Sequence, residues 1–169
     1  MNITLIDKCN FSRKDLDSFS RYQEVEFVYR MADGELSSVY HPFTETWSPA
    51  QKDEKARKIL DGKHIVYGAF ENGRIVGILM LLPGLDRGRM IIDSFHVSAE
   101  MRRHGIGRAL LAAAKEKAAS CGADALYVSA CSSRETVDFY MAMGFRVSLH
   151  PIPSRVNDEP YDIQMECAL

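Results

Sequence analysis

The chain has 169 residues, 46% of them hydrophobic and 26% charged, enough to close its own core, so a single domain over residues 1–169 is expected. Lys and Arg number 21 against 23 Asp and Glu, a formal net charge of -2, which argues against a polyanion-binding face and against nucleic acid as a partner. The first apolar residues, Ile3, Leu5 and Ile6, soon meet Asp7 and Lys8, and the longest apolar run, Ile75 to Leu82, contains Gly77 and stops at Pro83; neither a signal peptide nor a membrane span is expected, and the protein reads as cytoplasmic.

Ile3 to Ile6 reads as a short strand and Lys14 to Phe19 as a short helix. Glu24 to Met31 alternates Val25, Phe27 and Tyr29 with Glu24, Glu26 and Val28, then meets Asp33-Gly34 before Leu36 to Tyr40, the pattern of a hairpin. His41 to Ser48 reads as a loop, and Ser48-Pro49 opens a polar helix closed by Asp61-Gly62. His64 to Phe70 and Arg74 to Leu82 are β-rich runs joined by Asn72-Gly73, two residues that accept positive φ and so favour a tight hairpin.

Arg89 to Val97 is the next strand. A helix follows from about Gly105 to Ser120, with Ile106, Leu110, Leu111, Ala114 and Ala118 on one face and Gly122 as its left-handed cap. Ala125 to Ala130 reads as a strand, Arg134 to Met143 as a helix stopped by Gly144, Phe145 to Leu149 as a strand and Tyr161 to Cys167 as a closing strand. An antiparallel meander followed by β-α-β-α-β gives an α+β fold with a mixed sheet. Cys9, Cys121, Cys131 and Cys167 are far apart, with no C-x-x-C pair and no His at zinc-ligand spacing, so they read as reduced, mostly buried thiols; no metal is expected.

The chemistry concentrates between Val97 and the helix that starts near Gly105. Gly105 and Gly107 let the backbone approach a ligand, the first helical N–H groups lack intrahelical partners, and Arg102, Arg103 and Arg108 bring cations to the same end. A pyrophosphate suits such a site. It is not a dinucleotide fingerprint, because Leu110 stands at the third glycine position, and Gly68 with Gly73 is not a P-loop, because Arg74-Ile75 follows where Lys and Ser or Thr are needed. Without a second motif, the glycines would merely close a tight turn.

A second motif is present. Val97, Arg102, Gly105 and Gly107 fall in V-x-x-x-x-R-x-x-G-x-G, and Phe139, Tyr140, Gly144 and Phe145 in F-Y-x-x-x-G-F. Together they resemble the acetyl-CoA-binding motif and the following helix of the GNAT N-acetyltransferases. The likeness covers residues 64 to 147, with Ser133 where relatives often carry Asn and Arg103 where they often carry Gly.

The resemblance implies a mostly antiparallel GNAT-like sheet whose fourth and fifth strands splay, flanked by helices, with acetyl-CoA as co-substrate. Phe95, His96 and Val97 would flank the pantetheine, a main-chain N–H near Val97 would hold the oxyanion, and Arg102, Arg103, His104, Gly105, Ile106, Gly107 and Arg108 would hold the phosphates, with Ser133 and Phe139 beside the CoA arm. It also implies Tyr140 as the general acid for the CoA thiolate and Asp93, four residues before Val97, as the base that takes the amine proton through water.

His96 is an alternative base that strand alternation points to the face opposite Asp93, Glu166 is a further carboxylate, and Cys131 lacks the partners of a nucleophile. The expected reaction is direct transfer of acetyl to a primary amine of a small molecule; a protein lysine or N-terminus as acceptor, or a non-catalytic acetyl-CoA sensor, are the alternatives. Arg21 to Ser48, with Tyr22, Phe27, Tyr29, Tyr40, Phe43 and Trp47 among Glu24, Glu26, Glu35 and Glu45, is the expected acceptor region, and Glu24 to Trp47 loosely resembles the corresponding part of streptothricin-type acetyltransferases. A homodimer through Phe145 to Leu169 is also expected, since terminal strands offer edges for pairing.

Overall fold

The computed structural model describes residues 1–169 and runs β1 (Asn2–Leu5), a 3₁₀ turn (Arg13–Leu16), β2 (Gln23–Ala32), β3 (Glu35–Glu45), α1 (Pro49–Leu60), β4 (Ile65–Glu71), β5 (Arg74–Leu81), β6 (Arg89–Val97), a second 3₁₀ turn (Ala99–Met101), α2 (Ile106–Ser120), β7 (Ala125–Ala130), α3 (Arg134–Ala142), β8 (Arg146–Val147), α4 (Pro153–Asp158) and β9 (Ile163–Ala168). Seven strands make one sheet in the order β1-β4-β5-β6-β7-β9-β8, while β2 and β3 form a separate two-stranded arm. Every neighbouring pair in the sheet is antiparallel except β6 and β7, which run parallel with α2 as their crossover. This is the expected α+β architecture, and β6 and β7 are the fourth and fifth strands counted from β1.

Local chemistry explains the boundaries. Asn72 and Gly73 take φ of 50° and 75°, closing the β4–β5 hairpin with two left-handed residues. Ser48 caps α1 by accepting from the Gln51 N–H at 3.3 Å, and Pro49 starts the helix where no N–H is needed. Ile106, Leu110, Leu111, Ala114 and Ala118 are the buried residues of α2, as its periodicity predicts. The helix lies close on β5 because residue 77 is glycine: a Cβ there would meet Ile106 Cγ2 and Leu110 Cδ1 at 2.8 Å. The opposite sheet face buries Ile75, Ile78 and Met80 under Leu16, Phe19, Ala56 and Ile59. Each such large side chain contributes about 1.5–3 kcal/mol by leaving water.

One irregularity shapes the site. The β5–β6 register passes from Met80↔Ser94 to Leu81↔Ile92, leaving Asp93 as an extra residue. A bulge bends its strand. At the same place the parallel pairing ends: it runs from Arg89↔Ala125 to Ile92↔Val128, yet β6 continues to Val97 and β7 to Ala130. The two strands therefore part from Asp93 onward, which is the splay the resemblance implies.

Several elements differ from their sequence reading. β3 continues through Pro42 to Glu45, because the register shift between Phe27↔Tyr40 and Val25↔Phe43 leaves His41 and Pro42 outside the ladder, where proline's missing N–H costs no bond. β8 is only Arg146–Val147, since Phe145 turns fully into the core. α4 was not foreseen, as Pro-Ser-Arg-Val-Asn-Asp carries no apolar periodicity. The cysteines are less buried than expected: Cys9 and Cys121 are exposed, Cys131 is partly covered and only Cys167 is buried. No helix is long and apolar enough to cross a membrane.

Candidate active site

The splay opens differently on the two faces of the sheet. On the α2 side, Phe95 packs edge-on to Phe139 at 5.8 Å and to Tyr140 at 6.2 Å, and Tyr140 to Phe145 at 5.1 Å. Gly107 completes this wall: a Cβ there would lie 3.2 Å from Phe139 Cζ, so the glycine lets the start of α2 approach α3. Tyr140 is 4% exposed, and its hydroxyl makes no hydrogen bond within the protein although it is not fully sealed from solvent. Burial, with Asp162 and Cys131 nearby, pushes its phenol well above the ordinary range, so it is a neutral donor at every physiological pH.

The loop from Arg102 to Arg108 leads into the start of α2, where no side chain caps the first helical N–H groups. Gly105 is the N-cap of α2 with φ 80°, and Arg103 also takes a positive φ of 64°. Arg103, His104, Gly105 and Arg108 are exposed, whereas Arg102 is half-buried, its Nε donating to Val97 O at 3.3 Å. His104 Nδ1 lies 2.8 Å from Arg102 O. Ile106 is 2% exposed, so its side chain belongs to the core and only its backbone remains for a ligand. Ser133 is likewise committed: it caps α3 through the Thr136 N–H at 3.4 Å, donates to Thr136 Oγ1 at 2.8 Å and accepts from Gln23 Nε2 at 3.1 Å. These bonds fix the Ser133 side chain at the start of α3.

On the α1 side, a cavity of about 270 Å³ lies between Lys55, Lys58, Asp93, Ser129, Arg155 and Glu159. Asp93 is bound there by Lys58 at 2.7 Å, Arg155 at 3.1 Å and His64 Nε2 at 3.2 Å. Burial alone would raise its carboxyl, but the Lys58 and Arg155 pairs hold it below its ordinary value. His96 faces this side too, edge-on to Trp47 at 4.7 Å, with Lys55 over the same indole and donating to Ser94. Alternation would have placed His96 opposite Asp93; the bulge at Asp93 brings both to one face. Burial, with Arg21, Lys55 and Arg102 around it, lowers the His96 pKa well below its usual value, so the ring is neutral. Glu166 is elsewhere, paired with Arg89 at 3.2 Å and accepting from Ser148 at 2.8 Å, which removes it from the candidates.

The family model for the acetyltransferase (GNAT) family matches residues 28–145. The chain belongs to the GNAT acetyltransferase family. It is an acetyltransferase, and acetyl-CoA is the family's co-substrate. Among solved structures, nourseothricin acetyltransferase is 18% identical with a TM-score of 0.74, over 99% of this chain and 97% of that one. A candidate streptothricin acetyltransferase from Bacillus anthracis, in complex with acetyl coenzyme A, is 15% identical with a TM-score of 0.72 over 100% and 99%. An aminoglycoside 6'-N-acetyltransferase bound to coenzyme A is 16% identical with a TM-score of 0.54 over 69% and 79%. No curated protein is a significant sequence match.

In this GNAT chain the arm leans over the open end of the splay. Tyr29 N–H donates to Ser132 O at 2.7 Å and Val28 bridges Ser133, so β2 is anchored on the β7–α3 connection. The arm contributes Glu45, paired with Arg21, and the segment after it contributes Trp47; Tyr22, Tyr40 and Met31 remain exposed on its outside. Of the expected acceptor region, Glu45 and Trp47 are the residues that reach the cleft. Sequence reading missed Asp162 and Glu159, which lie between α4 and β9. Their only signal was a pair of acids around Pro160-Tyr161, too weak to distinguish from a solvated turn.

Proposed function

We propose that the protein moves the acetyl group of acetyl-CoA onto a primary amine of a small cationic molecule, by direct attack with donor and acceptor bound together. The observation that carries this reading is the parting of β6 and β7 between a glycine- and arginine-rich helix start on one side and a polar recess, lined by Asp93, Asp158 and Glu159 together with Lys55, Lys58 and Arg155, on the other. The unpaired edge of β6 from Asp93 to Val97 suits the pantetheine as an added strand, with a main-chain N–H near Val97 as oxyanion donor. The phosphates would sit on the backbone from Arg102 to Arg108, held by Arg102, Arg103 and Arg108, and Phe139 and Phe95 would flank the arm.

Tyr140 is the proposed general acid: its phenol is neutral, unpartnered and at the apolar wall of the cleft. A small-molecule acceptor is favoured because the likeness to the acetyltransferases named for nourseothricin and streptothricin spans essentially the whole chain, the arm included. The test is a thiol-release screen with acetyl-CoA against antibiotics, diamines, amino acid amides and lysine peptides. Turnover confined to small amines supports the reading; turnover confined to peptides assigns a protein substrate instead.

We also propose a homodimer through Phe145 to Leu169, where β8 leaves the sheet edge open and Leu149 is 85% exposed. A monomer in light scattering at micromolar concentration would end this idea.

A further inference from the structure

Resting on the acetyl-transfer reading, the chemistry still lacks a group to receive the ammonium proton, and Asp93 is poorly suited to it. Its two oxygens are taken by Lys58 and Arg155, with His64 at 3.2 Å, and a carboxylate held below its usual pKa is a weak base.

A different carboxylate stands at the open end of the splay. Ile163 pairs with Ala130 where β7 ends, so Asp162 and Cys131 are the next residues outward on neighbouring strands. Alternation puts both on the side where Tyr127 and Ser129 donate to Gln164 Oε1 at 2.6 and 2.9 Å. Glu159 joins Asp162 across a turn closed by Asp162 N–H to Glu159 O at 3.1 Å. Glu45 comes in from the arm, one oxygen 3.9 Å from Cys131 Sγ and the other paired with Arg21. Asp162 itself forms no ion pair in the protein. Behind this trio the Tyr140 side chain is more than nine-tenths buried with an unpartnered hydroxyl, and Asp162 and Cys131 are the neighbours that bear on it electrostatically. A phenol with no hydrogen-bond partner in the protein and a carboxylate in no ion pair thus both lie toward the end of β7 where the strands have parted, near enough for the charge of Asp162 to act on Tyr140.

We propose that Asp162 takes the proton that the acceptor's ammonium must lose, and that Glu159 beside it holds a second positive charge of the same acceptor, which is therefore a diamine or a larger polyamine. The ammonium gives one proton to Asp162. The freed lone pair attacks the thioester carbonyl carbon, forming the C–N bond; the intermediate then collapses by breaking C–S. The departing thiolate takes the Tyr140 proton, and the phenolate recovers the second proton shed by nitrogen. The products are the amide, free CoA thiol and one proton that Asp162 returns to water.

The electrostatics agree with this placement. Burial, the hydrogen bond with Glu159 and the charges of Glu159 and Glu45 push Asp162 up to about 8. The groups facing it are Glu159 from its own turn, Glu45 from the arm, Cys131 just after β7 and Tyr140 from α3, with Arg21 reaching it through Glu45 and with Lys55, Lys58 and Arg155 around the recess that Glu159 shares with Asp93 and Asp158. An arriving cation lowers that value toward neutrality, so binding itself prepares the base.

The test measures kcat/KM against pH for the wild type, Asp162→Asn and Asp93→Asn with an amine that the screen identifies, alongside calorimetry of acetyl-CoA. Asp162→Asn should lose at least about 10²-fold at neutral pH and recover as pH nears the amine's own pKa, with acetyl-CoA affinity unchanged. Asp162→Glu should regain part of the loss. An equal loss at every pH, or the pH-dependent loss appearing in Asp93→Asn instead, overturns the assignment. A second readout needs no turnover: cadaverine titrated into the CoA-bound protein should bind about tenfold more weakly to Glu159→Gln, and unchanged binding contradicts the cation site. Failure of the wild type to bind acetyl-CoA would instead sink the transfer reading.

Discussion

Replacing Tyr140 by Phe separates chemistry from folding, because the structure gives the hydroxyl no structural task. The ring packs against Phe95, Phe139 and Phe145, all contacts that phenylalanine keeps. The oxygen has no hydrogen-bond partner in the protein and is not fully sealed from solvent, so its removal gives up no hydrogen bond that holds the fold. Removing it should therefore leave stability unchanged or raise it, and for a chain of this size each 1 kcal/mol moves Tm by about 2–4 °C. Turnover should nevertheless fall by about 10²–10⁴-fold if the phenol protonates the thiolate. Thermal unfolding, acetyl-CoA calorimetry and initial rates on the same preparation read all three quantities. A Tm several degrees lower, or full turnover by Tyr140→Phe, would refute the reasoning.

Arg102→Ala should weaken acetyl-CoA by about 1.5–3 kcal/mol, and Gly105→Val should lose most of its affinity because residue 105 sits at φ 80°; calorimetry decides both. Asp93→Asn should destabilise the fold by about 1–2 kcal/mol, since it weakens charge-assisted bonds to Lys58 and Arg155 whose partly exposed heads can still turn to water. Because the Asp93 pKa is lowered from 3.8, its contribution is present above that pH and lost as pH falls through the folded value, so the gap to wild type in thermal unfolding should close in acid. Asp162 has the opposite sign: raised from 3.8 to about 8, its neutral form stabilises fully below about pH 4, and that stability is lost as pH climbs to about 8. Asp162→Asn should therefore gain Tm over wild type at pH 9 relative to pH 4.5; a constant gap would show that the carboxyl is not held neutral.

The sheet, its crossover helix and the glycine-rich loop before that helix were legible because each rests on local chemistry. Asn72-Gly73 favours a tight turn, the apolar positions of α2 repeat at helical spacing, and Gly105 and Gly107 stand at the helix start. What was not legible depends on tertiary register. One extra residue at Asp93 reverses the alternation that would have set His96 on the other face, and no residue type announces it. Asp93 and Asp162 look alike in sequence, yet one is neutralised by cations from α1 and α4 while the other is crowded by Glu159 and Glu45. The pairing of Glu166 with Arg89 and Ser148 likewise depends on how distant strands meet and is not visible in the sequence.

The most direct test of direct acetyl transfer in the cleft is a single-turnover reaction with acetyl-CoA labelled at the acetyl carbonyl, followed by mass spectrometry of acceptor and protein. The account predicts one labelled acetyl on the amine for each CoA thiol released, with none on the protein. Label retained on Cys131 or another side chain before it reaches the amine, or bound acetyl-CoA that transfers nothing to any amine, would contradict it.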